Sequence, residues 1–311
     1  MKKIFVLIVL MLIIVLIVLI SFKQQKTIHI KVQYFIALQQ LLQPENWKKW
    51  QPDVKKAFQQ DPAEVKISKR NLVFTIQIPG STINLKPQGF AFDVDKNSTW
   101  KNSRYQLIAV PILKDGTAQI TINQKTNLWN RLLDLLGRRP INDIDQLKAF
   151  LEDPRRYYGF DIRRTMVADS NIVVEKKRIL IKNKASEIAQ TEQDLKAYIQ
   201  QQNLKVVQPV IADIRNIGQD SLRLMIGLPI NKQTVSAGKI QFMHQPPHGH
   251  MLTGFYNGKY GGRQKLYLAM KTYIADHNLS SPEDAYEKYL DNKIPVSDTS
   301  WVRLQVNFPI F

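Results

Sequence analysis

The chain has 311 residues, 44% of them apolar and 23% charged, with a formal net charge of +18. That length and apolar fraction suit about two globular domains and exclude a disordered or fibrous chain. Cysteine is absent, which excludes disulfide staples, thiolate metal sites and cysteine nucleophiles.

The N-terminus is the least polar part. Ile4 to Ile20 is unbroken apolar sequence, and Ser21-Phe22 extends it. As a helix this run spans about 28 Å, close to the hydrocarbon core of a bilayer. A secretory signal has a shorter apolar run and a small-x-small cleavage site, whereas Ser-Phe-Lys-Gln-Gln-Lys follows here. The pattern predicts an uncleaved single-pass anchor over residues 1–26. Lys2 and Lys3 flank one end, Lys23 and Lys26 the other, so the side of the soluble part stays open.

Thr27 to Phe35 alternates as a strand does, and Ile36 to Leu42 fits two helical turns. A Pro-bracketed stretch then carries Trp47 and Trp50, which read as core rather than ligand contacts. Asn71 to Ile78 alternates again until Pro79-Gly80 breaks it. Tyr105–Leu113 and Thr117–Asn123 are β-favouring runs around Lys114-Asp115-Gly116, a strong hairpin signal. Between Gly80 and Trp100 the strands look few and irregular. Leu128, Leu132, Leu133, Leu135 and Leu136 repeat with helical spacing up to Pro140. Ile144, Leu147, Phe150 and Leu151 do so after it.

This order places Asn46-Trp47-x-x-Trp50 after the first strand, Asp115-Gly116-Thr117 in a late hairpin and Leu147–Glu152 in a closing helix. It resembles the START-like helix-grip family, the polyketide cyclase and lipid-transfer (SRPBCC) superfamily, over residues 27–157. The resemblance implies a curved antiparallel sheet gripping a helix around an apolar cavity.

Tyr157-Tyr-Gly-Phe160 reads as the joint. Arg155 to Lys184 carries nine Lys/Arg against three Asp/Glu, a net of +6 (9 − 3). A solvated strand face plus linker accounts for it, and an anionic partner is the alternative. No helix-turn-helix spacing, zinc-finger pattern or aromatic ribonucleoprotein motif accompanies these residues, so no nucleic-acid partner is expected.

The C-terminal half contains a near-repeat. Leu195-Lys-Ala-Tyr198 returns as Met270-Lys-Thr-Tyr273, 75 residues on (270 − 195). Ser221-Leu-Arg-Leu224 returns as Trp301-Val-Arg-Leu304, 80 residues on (301 − 221). The spacing suits two copies of one α+β unit, about 165–232 and 238–311, with a cleft where they meet. The first copy reads as a strand or hairpin over Asn171–Lys182, a helix over Ser186–Leu204 and a strand pair over Val206–Ile230. The second reads as strands over Gly238–Tyr256, a helix over Arg263–Asn278 and one closing strand over Trp301–Ile310, so the whole chain is α+β with antiparallel sheets.

Pro247-x-Gly249-His-Met-Leu-Thr-Gly-Phe-Tyr256, Gly258-Lys-Tyr260, Glu287-Lys-Tyr289-Leu290 and a last strand ending Pro309-Ile310 follow in order. This set resembles the gyrase-inhibitor-like domain, the effector module of multidrug and AraC-type regulators, over residues 158–311. The resemblance implies an aromatic pocket between the repeats, touched by Tyr256, Tyr260, Tyr289, Glu287, Trp301 and Gln305. Tyr273 recurs as Tyr198 and reads as core. Glu287 is either the pocket carboxylate or a solvated helix residue beside Glu283, Asp284 and Lys288. Gln305 stands where the family commonly has a glutamate, which weakens cation binding and acid–base catalysis. His244, His248 and His250 cluster around Pro246-Pro247 and read as a surface loop rather than a metal site. No cofactor, metal or catalytic residue is implied. The expected protein is membrane-tethered through Ile4–Phe22 and binds a hydrophobic or amphipathic small molecule or a lipid. The alternatives are a hydrolase of small electrophiles in the second domain and a cyclase or lipid-transfer activity in the first.

Overall fold

The computed structural model describes residues 21–98, 101–127, 143–168, 170–246 and 248–311. The apolar run Ile4–Ile20 and the leucine-rich stretch Leu128–Leu136 lie outside the described residues. Among those described, no helix is long and apolar enough to cross a membrane. The chain divides into two compact units between Asp153 and Pro154. Both are mixed α+β, each built on one antiparallel sheet.

The first unit opens with β1 (Ser21–Gln33) and three short helices, α1 (Tyr34–Leu42), α2 (Trp47–Trp50) and α3 (Pro52–Gln60). Six strands follow: β2 (Lys66–Arg70), β3 (Val73–Ile78), β4 (Ser81–Gln88), β5 (Ala91–Ser98), β6 (Lys101–Pro111) and β7 (Thr117–Asn127). Helix α4 (Asp143–Leu151) ends the unit. The sheet order is β1-β7-β6-β5-β4-β3-β2, a six-strand meander with the first strand returned to its far edge.

Two expectations are corrected. The backbone of Ser21–Lys26, assigned from sequence to the anchor, pairs with Asn127–Ile122 as the start of β1. A free β7 edge would expose a row of unpaired backbone groups, and β1 covers it, with Lys23, Gln24 and Gln25 on the surface. Between Gly80 and Trp100 there are two regular strands, not irregular ones. Ile83, Leu85, Phe92 and Val94 are buried on alternate positions. The Lys-Pro-Gln-Gly turn, in which Gly89 takes φ +62°, hides that alternation in the sequence.

The core of this unit lies on one face of the sheet. Trp47 and Trp50 are fully buried with ring centroids 4.7 Å apart, as core residues are expected to be. Trp47 Nε1 donates to the Leu41 carbonyl at 3.2 Å. Gln51 caps α3 by accepting from the Val54 N–H at 2.8 Å, and its amide reaches Asp143 of α4 at 3.3 Å. Helix α4 buries Ile144, Leu147, Phe150 and Leu151, the stripe that the spacing predicts. Asp115-Gly116 makes the β6–β7 turn, with Gly116 at φ +69°. The β2–β3 turn is different: Asn71 and Leu72 both take positive φ, 48° and 63°. A leucine there carries a steric cost of about 1–2 kcal/mol that glycine avoids.

The second unit runs α5 (Pro154–Tyr157), β8 (Ile162–Met166), β9 (Asn171–Leu180), α6 (Lys184–Gln201), β10 (Ile211–Asn216) and β11 (Ser221–Pro229). It continues with β12 (Ile240–His244), β13 (His250–Lys259), α7 (Gln264–Asp276), β14 (Tyr286–Tyr289) and β15 (Trp301–Pro309). The sheet order β12-β9-β11-β10-β14-β15-β13-β8 reads the same from either end once the repeats are equated. Equivalent core positions are buried alike: Leu195 and Met270, Tyr198 and Tyr273, Leu224 and Leu304, Ile226 and Val306. The edge strands are exchanged. β8, which precedes the first copy, pairs with β13 of the second, and β12, which precedes the second, pairs with β9 of the first.

Sequence reading missed β8 and β14. β8 begins in the basic stretch, where Arg155 and Arg163 pair with Asp161 and Lys177 pairs with Glu175 and Glu187. The four residues of β14, Tyr-Glu-Lys-Tyr, are all buried, so they lack strand alternation. Glu287 is therefore a buried strand residue, not a solvated helix residue.

Because each copy holds an edge strand of the other, neither half is expected to fold alone. The second unit should melt in one transition. A folded, monomeric fragment ending near Lys232 or starting near Gly238, seen by circular dichroism and sedimentation, would contradict this.

Candidate functional site

At the centre of the sheet the two copies meet through one short ladder, in which β10 and β14 pair Ile211 with Lys288 and Ala212 with Glu287. The neighbouring registers set Ile211 against Gly227 and Tyr286 against Asn307, so Ala212 and Glu287 are equivalent positions facing each other across the pseudo-two-fold. Both side chains lie on the face covered by α6 and α7. Ala212 is fully buried, and Glu287 is only 3% exposed.

A carboxylate buried this deeply requires partners. Arg263 Nε donates to Glu287 Oε1 at 2.6 Å and the Tyr267 hydroxyl donates to the same oxygen at 3.1 Å. The Tyr289 hydroxyl donates to Oε2. A phenol has one proton, and Tyr289 gives its own to Glu287. The Tyr260 hydroxyl lies 3.4 Å from that of Tyr289, a long contact beside the short bond to Glu287. The Arg263 guanidinium stacks 3.5 Å from the centroid of the Tyr260 ring and donates to the Tyr260 carbonyl at 3.1 Å. Burial, then the Glu287 charge, pushes the Tyr260, Tyr267 and Tyr289 phenols up, so all three stay protonated donors. Burial works against the charge on Arg263, but the carboxylate beside it outweighs that and holds it protonated.

Local sequence explains how these groups arrive together. Arg263 ends the 3-10 turn Tyr260–Arg263 that leads into α7. The turn passes so close to its neighbours that a Cβ on Gly262 would stand 2.4 Å from the Tyr256 hydroxyl, and one on Gly261 3.3 Å from Asp298. A side chain at Gly262 would displace the Tyr256 hydroxyl from its place, and one at Gly261 would press on Asp298. Arg263, Tyr267 and Lys271 then follow at four-residue intervals along one face of α7.

This cluster forms one wall of a cleft of about 820 Å³ between the repeats. The first copy contributes Lys184, Ile214 and Leu222, and the second contributes Tyr260, Tyr267 and Phe308. Lys184, at the start of α6, holds its ammonium 5.3 Å from the Tyr260 ring centroid, and burial lowers its pKa. At the rim, Arg215 bridges Asp213 at 2.6 Å and Asp284, and Arg223 reaches Asp284 at 2.6 Å and Asp213 at 3.0 Å. The Arg215 guanidinium beside it holds the Asp284 carboxyl below its usual range.

Three of the six residues expected at the pocket, Tyr260, Tyr289 and Glu287, come together here. Tyr260 and Glu287 line the cleft, Tyr289 stands behind Glu287, and the other three do not line it. The Tyr256 hydroxyl donates to the Lys259 carbonyl at 2.6 Å and braces the turn carrying Arg263. Trp301 is exposed and donates from Nε1 to Asn257 at 2.7 Å. Gln305 points to the opposite face of the sheet, where its amide donates to Asn307 at 2.6 Å. Tyr273 is core, stacked 3.8 Å from the His277 ring. Arg263 and Tyr267 were missed, although their four-residue spacing on one helix face was legible. His244 Nδ1 lies 3.0 Å from Asn171 Oδ1, and among the described residues no three His, Asp or Glu side chains converge to hold a metal.

The sequence matches no protein-family model and no curated protein. Solved structures with similar backbones include EcmrR in its DNA complex, at TM-score 0.39 and 15% identity, over 58% of this chain and 66% of that one. The EcmrR C-terminal domain is similar at TM-score 0.38 and 14% identity, over 49% of this chain and 98% of that one. An uncharacterized conserved protein from Listeria innocua is similar at 0.38 and 12%, over 49% and 92%.

Replacing Glu287 by Gln leaves the Arg263 guanidinium buried without its counter-charge. The expected loss is about 3–5 kcal/mol of stability, measured by urea unfolding. Adding Arg263→Met to Glu287→Gln should recover part of that loss. Equal stability of Glu287→Gln and the parent would show that the pair is not buried.

Proposed function

We propose that the second unit is a gyrase-inhibitor-like small-molecule-binding module and that its ligand occupies the cleft at Glu287. The observation that carries this reading is a carboxylate buried at the join of two repeats, with both oxygens occupied and one wall open to the cleft. The cleft sets three rings, Tyr260, Tyr267 and Phe308, among a majority of charged and polar side chains, which suits an amphipathic molecule that lays its apolar body on those rings and turns its polar groups to the rest of the lining. Arg263 already neutralises Glu287, so a ligand gains little from carrying positive charge. The same neutralisation argues against the hydrolase alternative. A carboxylate that already accepts from a guanidinium and two phenols is stabilised in its charged form and is a poor base.

Tyr267→Ala and Tyr260→Ala should each weaken binding by about 1–3 kcal/mol, read by fluorescence titration with the molecule that native mass spectrometry finds on the purified chain. Gln305→Glu, on the other face, should leave affinity and charge preference unchanged. The cleft is the wrong site if Gln305→Glu changes binding while Tyr267→Ala does not.

For the first unit we propose the START-like helix-grip reading. It is supported by the order strand, short helices, six antiparallel strands and closing helix, with α4 against the sheet beside Trp47 and Trp50. The membrane-anchor reading of Ile4–Ile20 rests on the length and purity of that apolar run. It predicts that the full chain stays with membranes through alkaline carbonate, and recovery in the supernatant would overturn it.

A further inference from the structure

One end of the first sheet carries apolar side chains that the fold does not use. The strands alternate in direction, and β1 runs against β7. The β1–α1 joint, the β2–β3 turn, the β4–β5 turn and the β6–β7 turn therefore all lie at the same end. The Tyr34 N–H donates to the Gly116 carbonyl at 2.9 Å, which ties the joint to the last of these turns. Each of the four presents one large apolar residue to solvent: Phe35 is 77% exposed, Leu72 70%, Phe90 68% and Leu113 97%. At the opposite end, the turns at Pro62–Glu64 and Pro79-Gly80 carry none among the described residues. Adjacent strands lie about 4.8 Å apart, so the four side chains spread over roughly 30 Å across seven strands.

Nothing in the packing of the sheet places them there. Leu72 sits at φ 63° in a turn that glycine would make without strain, yet the position holds a leucine pointing into water. Basic residues accompany the tips: Lys69 and Arg70 stand before Leu72 and Lys114 follows Leu113, all exposed. The acidic neighbour, Asp115, spends its carboxylate on the Thr117 N–H at 3.0 Å and the Thr117 hydroxyl at 2.5 Å.

We propose that this end of the first unit is a membrane-contacting edge that seats its four apolar tips in the headgroup–acyl boundary of an anionic lipid surface. Separate apolar projections about two strands apart, with polar backbone and cations between them, do not make a continuous face for a protein partner. A fluid bilayer needs no matching pocket: each tip sinks independently while the lysines and arginine meet lipid phosphates. The edge is distinct from the Ile4–Ile20 run. β1 has 13 residues, so Ser21 lies about 40 Å from the tips at the other end of the strand, and the surface that the tips meet is a bilayer facing the one that an Ile4–Ile20 anchor would enter.

The test uses the full chain, whose lack of cysteine makes any introduced thiol a unique label site. Leu113→Cys and Phe90→Cys are each labelled with a polarity-sensitive fluorophore and mixed with phosphatidylcholine–phosphatidylglycerol vesicles. Ala63→Cys, at the opposite end of the sheet, is the control. The expected result is a blue shift and several-fold quenching by acyl-chain spin labels at 113 and 90, little change at 63, and a weaker response with phosphatidylcholine alone. Adding Leu72→Gly to the labelled Leu113→Cys chain should reduce the quenching while leaving the melting temperature equal or higher, which separates lipid contact from folding. Labels at 113 and 90 that stay aqueous, or a label at 63 that responds equally, would overturn the proposal. So would a blue shift that grows with protein concentration without vesicles, since that identifies a second copy as the partner.

Discussion

The second unit depends on a short ladder at its centre. Its eight-stranded sheet is continuous only because Ile211 and Ala212 pair with Lys288 and Glu287. So few pairs would not hold two half-sheets together. The exchange of β8 and β12 supplies the rest, since each copy completes the edge of the other. The exchange also fixes the register at the centre. A one-residue slip would turn Glu287 away from Arg263 and bring Lys288 to the helix face.

Symmetry creates a conflict at that join. Equivalent residues face each other across the pseudo-axis, so a carboxylate repeated in both copies would put two like charges on directly opposed positions, about 5 Å apart. The copies diverge here, Ala212 in the first and Glu287 in the second. They also diverge one strand from each edge, where the registers equate Glu175 with Gly254. Glu175 is buried beside Lys177 and Lys239, at 3.4 and 3.5 Å, and its Oε2 has no hydrogen-bond partner. At Gly254, a Cβ would stand 2.5 Å from the Met270 sulfur, so α7 packs directly on the strand. One buried carboxylate is thus closed under lysines and the other faces the cleft. The asymmetry of the site follows from these two exchanges of a small residue for a glutamate.

The repeat was legible because core positions keep their spacing through divergence. Tyr198 and Tyr273, and Leu224 and Leu304, stay buried in both copies even though the surface between them changed. The site was only half legible. Gln305 was placed at the pocket by resemblance, but it lies one position from Leu304 and Val306, and in a strand that one position reverses the face. Glu287 looked like surface because its strand is four residues long and buried on both sides, which removes the alternation that marks a strand. Arg263 and Tyr267 belong to a helical face that also holds Lys271, and basic residues at four-residue spacing read first as solvent exposure. At the N-terminus, the apolar run passes without a break in hydropathy into Ser21-Phe22, where pairing with β7 rather than composition sets the start of the strand.

The three hairpin turns at the tip end of the first sheet show where folding requirements stop. Gly89 and Gly116 take positive φ in two of them, as the backbone demands. The third sets Leu72 in the same region, where its side chain meets no core and its backbone is strained. Local preference and global fold agree nearly everywhere else in this unit, from the Gln51 cap to the buried stripe of α4. A residue that breaks the turn rule, exposes apolar surface and sits level with Phe35, Phe90 and Leu113 is a conflict that packing cannot resolve within the chain. Conflicts of this kind gather where a protein meets something outside itself. The apolar area concerned is divided among four turns, and only a partner able to receive each tip separately removes it from water.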